Sequence, residues 1–414
     1  MSQSPRPSTV QDYLAPTAAT GMTLTSTERW LSKNILALDD FERHAKQRLP
    51  KPLFGYVSGA AETAQSLEMN RAEFARYAFV PRVLTDTSQR STRVELLGET
   101  YDAPFAVAPM GIAALSAFRG DSALANAASE HGIPFVLSAT SLTPMERVLT
   151  DNAKRWFQAY LPADISMIDA LLDRVERTGC RTLVVTVDLP VSANRENNVR
   201  NGFTMPLRPS LSLFWQGITH PRWTAGVFLR TLAQDGMPHF ENSSAKRGVP
   251  IVARDVTRDF SNRDSFSWKH VEHIRSRWRG RLVLKGILSF EDAKRAQALG
   301  VDAIVLSNHG GRQLDGAISP LAVLPEVVAA VPGFPVLLDG GVRRGSDVLK
   351  AIALGARMVL IGRPFNYAIA VAGERGAAHA FALLKAEISR NLAMLGVCEL
   401  RELKAAHVRE LGKR

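Results

Sequence analysis

Residues 303–312 read Ala303-Ile304-Val305-Leu306-Ser307-Asn308-His309-Gly310-Gly311-Arg312. The opening is apolar and β-branched, and so short a run suits a buried strand better than a helix face. It stops on polar residues followed by a glycine pair that frees the backbone. The same grammar recurs outward along the chain. Upstream lie Phe105–Pro109, Phe135–Ser138, Trp156–Ala159, Leu183–Val187 and Leu282–Leu284, and downstream lie Val336–Leu338 and Met358–Ile361. Between them, stretches such as Asp121–Gly132, Ile168–Gly179, Phe290–Gly300 and Asp347–Gly355 carry helical periodicity and end on glycine, a common helix stop. Alternating strand and helix signals place the chain in the α/β class. Eight strand runs predict a (β/α)8 TIM barrel, although an open parallel sheet shares the pattern.

Each run ends in polar, glycine or proline residues. In order these are Pro109-Met110-Gly111, Ser138, Gln158 with Tyr160, and Thr186 with Asp188. Then come Lys285-Gly286, Ser307 to Arg312, Asp339-Gly340-Gly341-Val342-Arg343-Arg344, and Gly362-Arg363. In a barrel all of these gather at the C-terminal face, where active sites lie.

His309 sits on an open, glycine-flanked position. Asp188 is a candidate to hold a neutral imidazole and stabilise its protonated form, which is a general-base arrangement. Lys285 ends a strand and suits either a Schiff-base nucleophile or a fixed cation against a developing anion. Arg195 and Arg312 suit a forked clamp on a substrate carboxylate. The Gly-Gly-Val-Arg and Gly-Arg endings of the last two runs suit a phosphate group. No GxGxxG opens a helix, no P-loop occurs, and no HExxH or other metal spacing is present, so no metal is expected.

The 414-residue chain is 46% hydrophobic and 22% charged, ordinary for a folded protein, and its net charge is +11. Two cysteines exclude a disulfide framework. No apolar stretch reaches the roughly 18 residues that span a bilayer, and no export signal pattern opens the chain. Residues 1–29 read as a mobile tail and 30–414 as one domain. A helix is expected over Trp30–Leu49. A long insertion, about 196–265, follows the fourth strand; segment 200–233 carries Arg200, Arg208, Arg222 and Arg230 and no acid.

At the level of these motifs the sequence resembles the FMN-dependent L-2-hydroxy-acid-oxidising enzymes, the glycolate oxidase, mandelate dehydrogenase and respiratory L-lactate dehydrogenase type. The resemblance rests on Ser307 to Asp315, Leu338 to Gly345, Ile361-Gly362-Arg363-Pro364, Phe157-Gln158 with Tyr160, Thr186-Val187-Asp188 and Leu284-Lys285-Gly286. It runs from about Ile35 almost to the C-terminus. It implies that FMN is the cofactor, His309 the base, Asp188 its partner, and Arg195 and Arg312 the clamp. Tyr56 and Tyr160 would hydrogen-bond around the substrate, and Lys285 would lie beside the flavin pyrimidine. Pro109, Met110, Gly111, Ser138, Gln158 and Thr186 would meet the isoalloxazine. Ser307, Asp339, Gly340, Gly341, Arg343, Gly362 and Arg363 would complete the cofactor site. Where the family usually has Pro-Thr-Ala or Pro-Thr-Gly, this chain has Pro109-Met110-Gly111; Gly111 is more similar to the dehydrogenases than to the oxidases.

The expected function is oxidation of a lactate-like or mandelate-like acid, with electrons passed to a quinone or other acceptor. The rivals are an oxidase that makes hydrogen peroxide and a Schiff-base aldolase on Lys285. The basic balance also admits an anionic membrane surface, with the enzyme peripheral on the inner, cytoplasmic face; no nucleic-acid motif accompanies it. A homo-oligomer, tetrameric by resemblance, is expected.

Overall fold

A computed structural model describes residues 24–150, 154–203, 210–252 and 263–412. Its centre is a closed ring of parallel strands in chain order: β1 (Phe105–Val107), β2 (Phe135–Ser138), β3 (Arg155–Ala159), β4 (Thr182–Thr186), β5 (Arg281–Ile287), β6 (Ala303–Leu306), β7 (Val336–Asp339) and β8 (Met358–Ile361). β8 pairs back onto β1, from Val359 opposite Phe105 to Ile361 opposite Val107. That closure makes the fold a (β/α)8 barrel and removes the open-sheet alternative.

The strands alternate their side chains between two apolar regions. Val136, Trp156, Val184, Val283, Val305 and Leu337 fill the barrel interior. The short hairpin of Val94–Leu96 and Glu99–Tyr101 plugs its lower end, with Tyr101 fully buried and edge-on to Trp156 at 6.4 Å. The opposite set, including Phe105, Phe135, Phe157 and Leu284, packs under the surrounding helices. A packed interior leaves the C-terminal mouth as the place for chemistry.

The N-terminal region departs from expectation in detail. Helix α1 (Ser26–Asn34) starts before the tail boundary drawn at residue 29, because Thr25 and Glu28 form a reciprocal capping box. Residues 1–23 lie outside the described residues. The single helix expected over Trp30–Leu49 is two, α1 and α2 (Leu38–Arg48). Asp40 stops the chain running through by accepting from the Leu36 and Ala37 amides at 2.9 Å each. The apolar stripe that suggested the helix is nevertheless buried at Leu31, Ile35, Leu38, Phe41 and Ala45. Two further helices, α3 (Lys51–Ser58) and α4 (Gln65–Ala72), lead over the mouth of the barrel.

The insertion after β4, expected as a loop, carries several short helices in its described residues up to Gln234. Glu196–Arg200, Leu211–Thr219 and Pro221–Trp223 are helices, Thr224–Leu229 is a π-turn, and Arg230–Gln234 is helical again. Ser210 caps one of these helices by accepting from the Leu213 amide at 3.1 Å. Arg208 lies outside the described residues.

Candidate active site

Four strand ends converge on His309. Its backbone φ is +58°, a left-handed conformation uncommon outside glycine and frequent at functional positions. Ser307 Oγ accepts from the His309 amide at 2.9 Å and fixes that turn. His309 Nδ1 lies 2.9 Å from Asp188 Oδ1, and the Tyr160 hydroxyl lies 3.3 Å from Nε2. Burial pushes the imidazole below its ordinary value and outweighs the upward pull of Asp188. His309 is therefore neutral at neutral pH, with Nδ1–H donated to Asp188 and Nε2 available as a base. Burial would raise the Asp188 carboxyl, but His309 and Lys285 together hold it low and ionised. Burial and the Asp188 charge raise Tyr160, so it stays a neutral phenol.

Gly286 makes the Asp188 position available. It sits at the irregularity between Lys285 and Ile287 in β5, with φ +113°. A Cβ there would lie 2.6 Å from the Cβ of Asp188. Only glycine lets the carboxylate rest against the strand.

Lys285 is buried, with Nζ 2.7 Å from Asp339 Oδ2 and donating to Ser307 Oγ at 3.0 Å. Burial alone would depress it, but Asp339 and Asp188 prevail and raise its pKa. A protonated, ion-paired amine is a poor nucleophile, which argues against the Schiff-base aldolase reading. Lys285 is a fixed cation.

The two arginines expected to clamp a carboxylate both reach the cavity. Arg312 donates Nη1 to the carbonyls of Tyr56 (2.8 Å) and Gly59 (2.7 Å), and its guanidinium lies over the Tyr56 ring at 5.0 Å. Arg195 donates Nε to the Arg312 carbonyl at 3.1 Å and Nη2 to Gln313 Oε1 at 2.8 Å. Each fork is thus held in a set plane before any ligand arrives.

The cavity these groups border has a volume of about 600 Å³, within the range of small-molecule and cofactor sites. Three observations test its fit to FMN. First, Thr186 Oγ1 on the cavity wall is buried with no hydrogen-bond partner among the described residues, a costly state that a polar heterocycle would relieve; Gln158 Nε2, outside the lining, is likewise unpartnered. Second, a Cβ on Gly362 would come no nearer than 3.7 Å to any neighbour, the nearest being Ala108 and Met110, so the backbone there is not crowded by protein. Third, Arg343 and Arg363 supply cations at the same end. Burial lowers both, Arg363 to about 10, and both remain charged. The residues fit the group.

Some expected roles shift. Ser138 sits behind the cavity wall, donating to Gln158 Oε1 at 3.1 Å, so it orients the glutamine. Ser307 likewise stands behind Lys285. Arg363 donates to the carbonyls of Val57 (3.1 Å), Gly59 (2.8 Å) and Gly310 (3.0 Å), bracing the substrate end as well as charging the cofactor end. Gly341 is demanded by packing: a Cβ would lie 2.0 Å from the Asn70 carbonyl. Pro109, Met110, Gly111, Asp339 and Gly340 line the cavity as expected.

Sequence reasoning missed Asn70, Thr140 and Phe203. Asn70 and Asn308 exchange side-chain amide hydrogen bonds of 2.7 and 2.8 Å, tying α4 to the His309 turn. The signal was a polar residue on a buried helix face, visible only once burial is known. Thr140 and Phe203 line the cavity, the latter with its ring 4.5 Å from that of Tyr56.

Comparison with known proteins bears directly on this arrangement. The model of the FMN-dependent dehydrogenase family matches residues 45–410. The chain belongs to the FMN-dependent dehydrogenase family. As a member it is an FMN-dependent oxidoreductase. It is 38% identical over 385 residues to (S)-mandelate dehydrogenase of Pseudomonas putida, covering 92% of this chain and 96% of that protein. It is 40% identical over 384 residues to L-lactate dehydrogenase of Pseudomonas entomophila strain L48, covering 91% and 99%. A solved structure of the monotopic membrane protein (S)-mandelate dehydrogenase superposes with a TM-score of 0.84 at 38% identity, covering 91% of this chain and 100% of that one.

Proposed function

We infer that this FMN-dependent dehydrogenase oxidises an L-2-hydroxy acid, lactate-like or mandelate-like, to the 2-oxo acid and delivers the electrons to a quinone in an anionic membrane. The observation that carries the reading is the neutral His309, held by Asp188 and flanked by Tyr160 and two braced arginines, at one cavity. The relatives named for mandelate and lactate agree with it.

Bound FMN supplies the two-electron acceptor for the alcohol. The protein does the rest. Arg312 and Arg195 bind the substrate carboxylate by forked hydrogen bonds and so set which face of the carbinol carbon is presented. His309 Nε2 takes the proton released from the substrate, and the ionised Asp188 at 2.9 Å stabilises the imidazolium formed. Tyr160 donates to oxygen at the reacting centre. Lys285 holds a permanent positive charge in the wall against negative charge developing nearby. Gln158, Thr186, Gly362, Arg343 and Arg363 would hold the cofactor.

Membrane docking rests on the insertion. Leu211, Phe214, Trp215 and Ile218 are 89%, 69%, 62% and 53% exposed. They stand at helical spacing on one face of Leu211–Thr219, an apolar stripe suited to an interface. Trp223 and Phe228, further along the insertion, stack on each other at 5.7 Å, and Trp223 donates to the Leu115 carbonyl at 2.7 Å. Those two anchor the insertion to the barrel. Among the described residues no helix is long and apolar enough to cross a membrane. The same proposal places the enzyme peripherally on the cytoplasmic face, as a homo-oligomer and by family resemblance a tetramer.

Anaerobic titration with L-lactate and (S)-mandelate tests the chemistry: the flavin spectrum is expected to bleach and to recover on adding a short-chain quinone. No bleaching by any 2-hydroxy acid would overturn the reading. Reoxidation by oxygen outpacing quinone would make the enzyme an oxidase.

A further inference from the structure

A second cavity, about 630 Å³, lies between the insertion and the barrel. Five guanidiniums border it: Arg48 from the end of α2, Arg119, Arg147, and Arg222 and Arg230 from the insertion. Among the described residues one carboxylate pairs with any of them. Asp235 is shared, at 2.8 Å from Arg119 and 2.9 Å from Arg147. Glu374, at the rim, accepts instead from Asn126 at 3.3 Å. Among the described residues Arg48, Arg222 and Arg230 form no ion pair. The Arg230 guanidinium stacks on the Phe118 ring at 4.1 Å, and Arg119 approaches the same ring at 4.9 Å. A smaller hollow of about 300 Å³ shares Arg48 and Arg222 and reaches His44 and His220. Desolvation and the neighbouring Arg222 charge both lower the pKa of Arg48.

None of this is used by the catalytic site. Arg48, Arg222 and Arg230 are exposed, and like charges gathered this closely around a hollow focus a positive field that attracts an anion. Arginine is the side chain best shaped for a phosphate oxygen pair. The walls are mixed, with Trp223, Phe118 and Val227 beside the arginines, as a group with both a phosphate and an apolar stem requires. The insertion that carries Arg222 and Arg230 also carries the exposed stripe of Leu211, Phe214, Trp215 and Ile218. An anion held in the cavity therefore sits beside the surface that meets the lipid.

We propose that this cavity binds the phosphate headgroup of an anionic phospholipid, with Arg48 and Arg222 as its unpaired pair and Arg230 beside them. The proposal rests on the membrane-docking reading and goes beyond it: docking is by a built headgroup site, not by diffuse charge alone. It joins α2, which lies far from the insertion in sequence, to the membrane-facing segment.

The test compares holoenzymes in sedimentation with vesicles of phosphatidylcholine alone and of phosphatidylcholine with phosphatidylglycerol. Arg48→Gln/Arg222→Gln should lose on the order of tenfold or more in partition to the anionic vesicles and fall to its level on the neutral ones. Its flavin content and dye-linked activity should match the parent, which guards against misfolding. Arg279→Gln/Arg409→Gln, both exposed and outside the lining of the cavity, removes equal charge and should change partition little. Monomeric dihexanoyl-phosphatidylglycerol should bind the parent and not Arg48→Gln/Arg222→Gln, and inorganic phosphate should not displace it at equal concentration. An unchanged partition of the Arg48/Arg222 variant, an equal fall in the remote variant, or equal displacement by inorganic phosphate would overturn the headgroup site. A parent enzyme that stays in the supernatant with both vesicle types would overturn the docking reading itself.

Discussion

The barrel mouth and the outer insertion are built on opposite terms. At the mouth nearly every charge has a partner that fixes it: Lys285 with Asp339, His309 with Asp188, Arg312 with the Tyr56 and Gly59 carbonyls. On the insertion, large apolar side chains stand in solvent and guanidiniums outnumber carboxylates. The mouth is preorganised for a small ligand that replaces water. On the proposed reading, a membrane surface covers the insertion's exposed apolar stripe. The two regions meet at residues 195–203, where Arg195 and Phe203 line the cavity. Chemistry and docking are therefore separable, and substitutions should divide cleanly between them.

The largest effect belongs at the base. His309→Gln should retain FMN and slow anaerobic flavin reduction by on the order of 10² to 10⁴, with vesicle binding unchanged. A stopped-flow rate near that of the parent would remove His309 from the mechanism.

Next comes the support of its partner. Gly286→Ala would drive a methyl against Asp188 at a φ of +113°. Flavin reduction should fall by about 10², the usual scale for a misplaced catalytic group. FMN content should persist, since Gly286 does not line the cavity. A full rate would mean that Asp188 has slack that the packing does not suggest.

Arg312→Lys keeps the charge and loses the fork. We expect KM for the hydroxy acid to rise by about tenfold, because an ammonium cannot serve the carbonyls of Tyr56 and Gly59 and a carboxylate at once. An unchanged KM would shift the clamp to Arg195 alone.

The pH profile sharpens the same region. His309 must be neutral to accept a proton, and burial lowers it from 6.5. The acid limb of kcat/KM should accordingly fall below pH 6.5, with activity lost as pH drops through it. A limb above 6.5 would mean that Asp188, which pulls upward, prevails.

The smallest catalytic effect is expected on the insertion. Phe214→Ser/Trp215→Ser should leave dye-linked activity within about twofold while abolishing vesicle binding, since single exposed substitutions rarely disturb a fold. A parallel loss of flavin reduction would show that this helix is a lid and join the regions that the structure separates.

The ordered motifs made the barrel and the candidate catalytic set legible in advance. Strand periodicity and the polar strand ends are local signals, and β1 to β8 fall on the expected runs. His309, Asp188, Lys285 and both arginines were readable because each lies at a strand end or in the loop after one, and the barrel gathers those ends. The helical insertion was less legible: a long connection rich in arginine and tryptophan has no periodicity strong enough to tell a helix from a loop.

What the sequence by itself determined is therefore the set of elements, their alternation and the residue types available at one face. Tertiary structure alone decided which of those residues are partners. Asn70 meets Asn308, Gly286 yields room to Asp188, and Arg48 faces Arg222 only because distant segments close on one another. The physical reason is that secondary structure follows from nearest-neighbour patterning. Hydrogen-bond pairing, desolvation and charge balance depend on separations in space that local patterning does not specify.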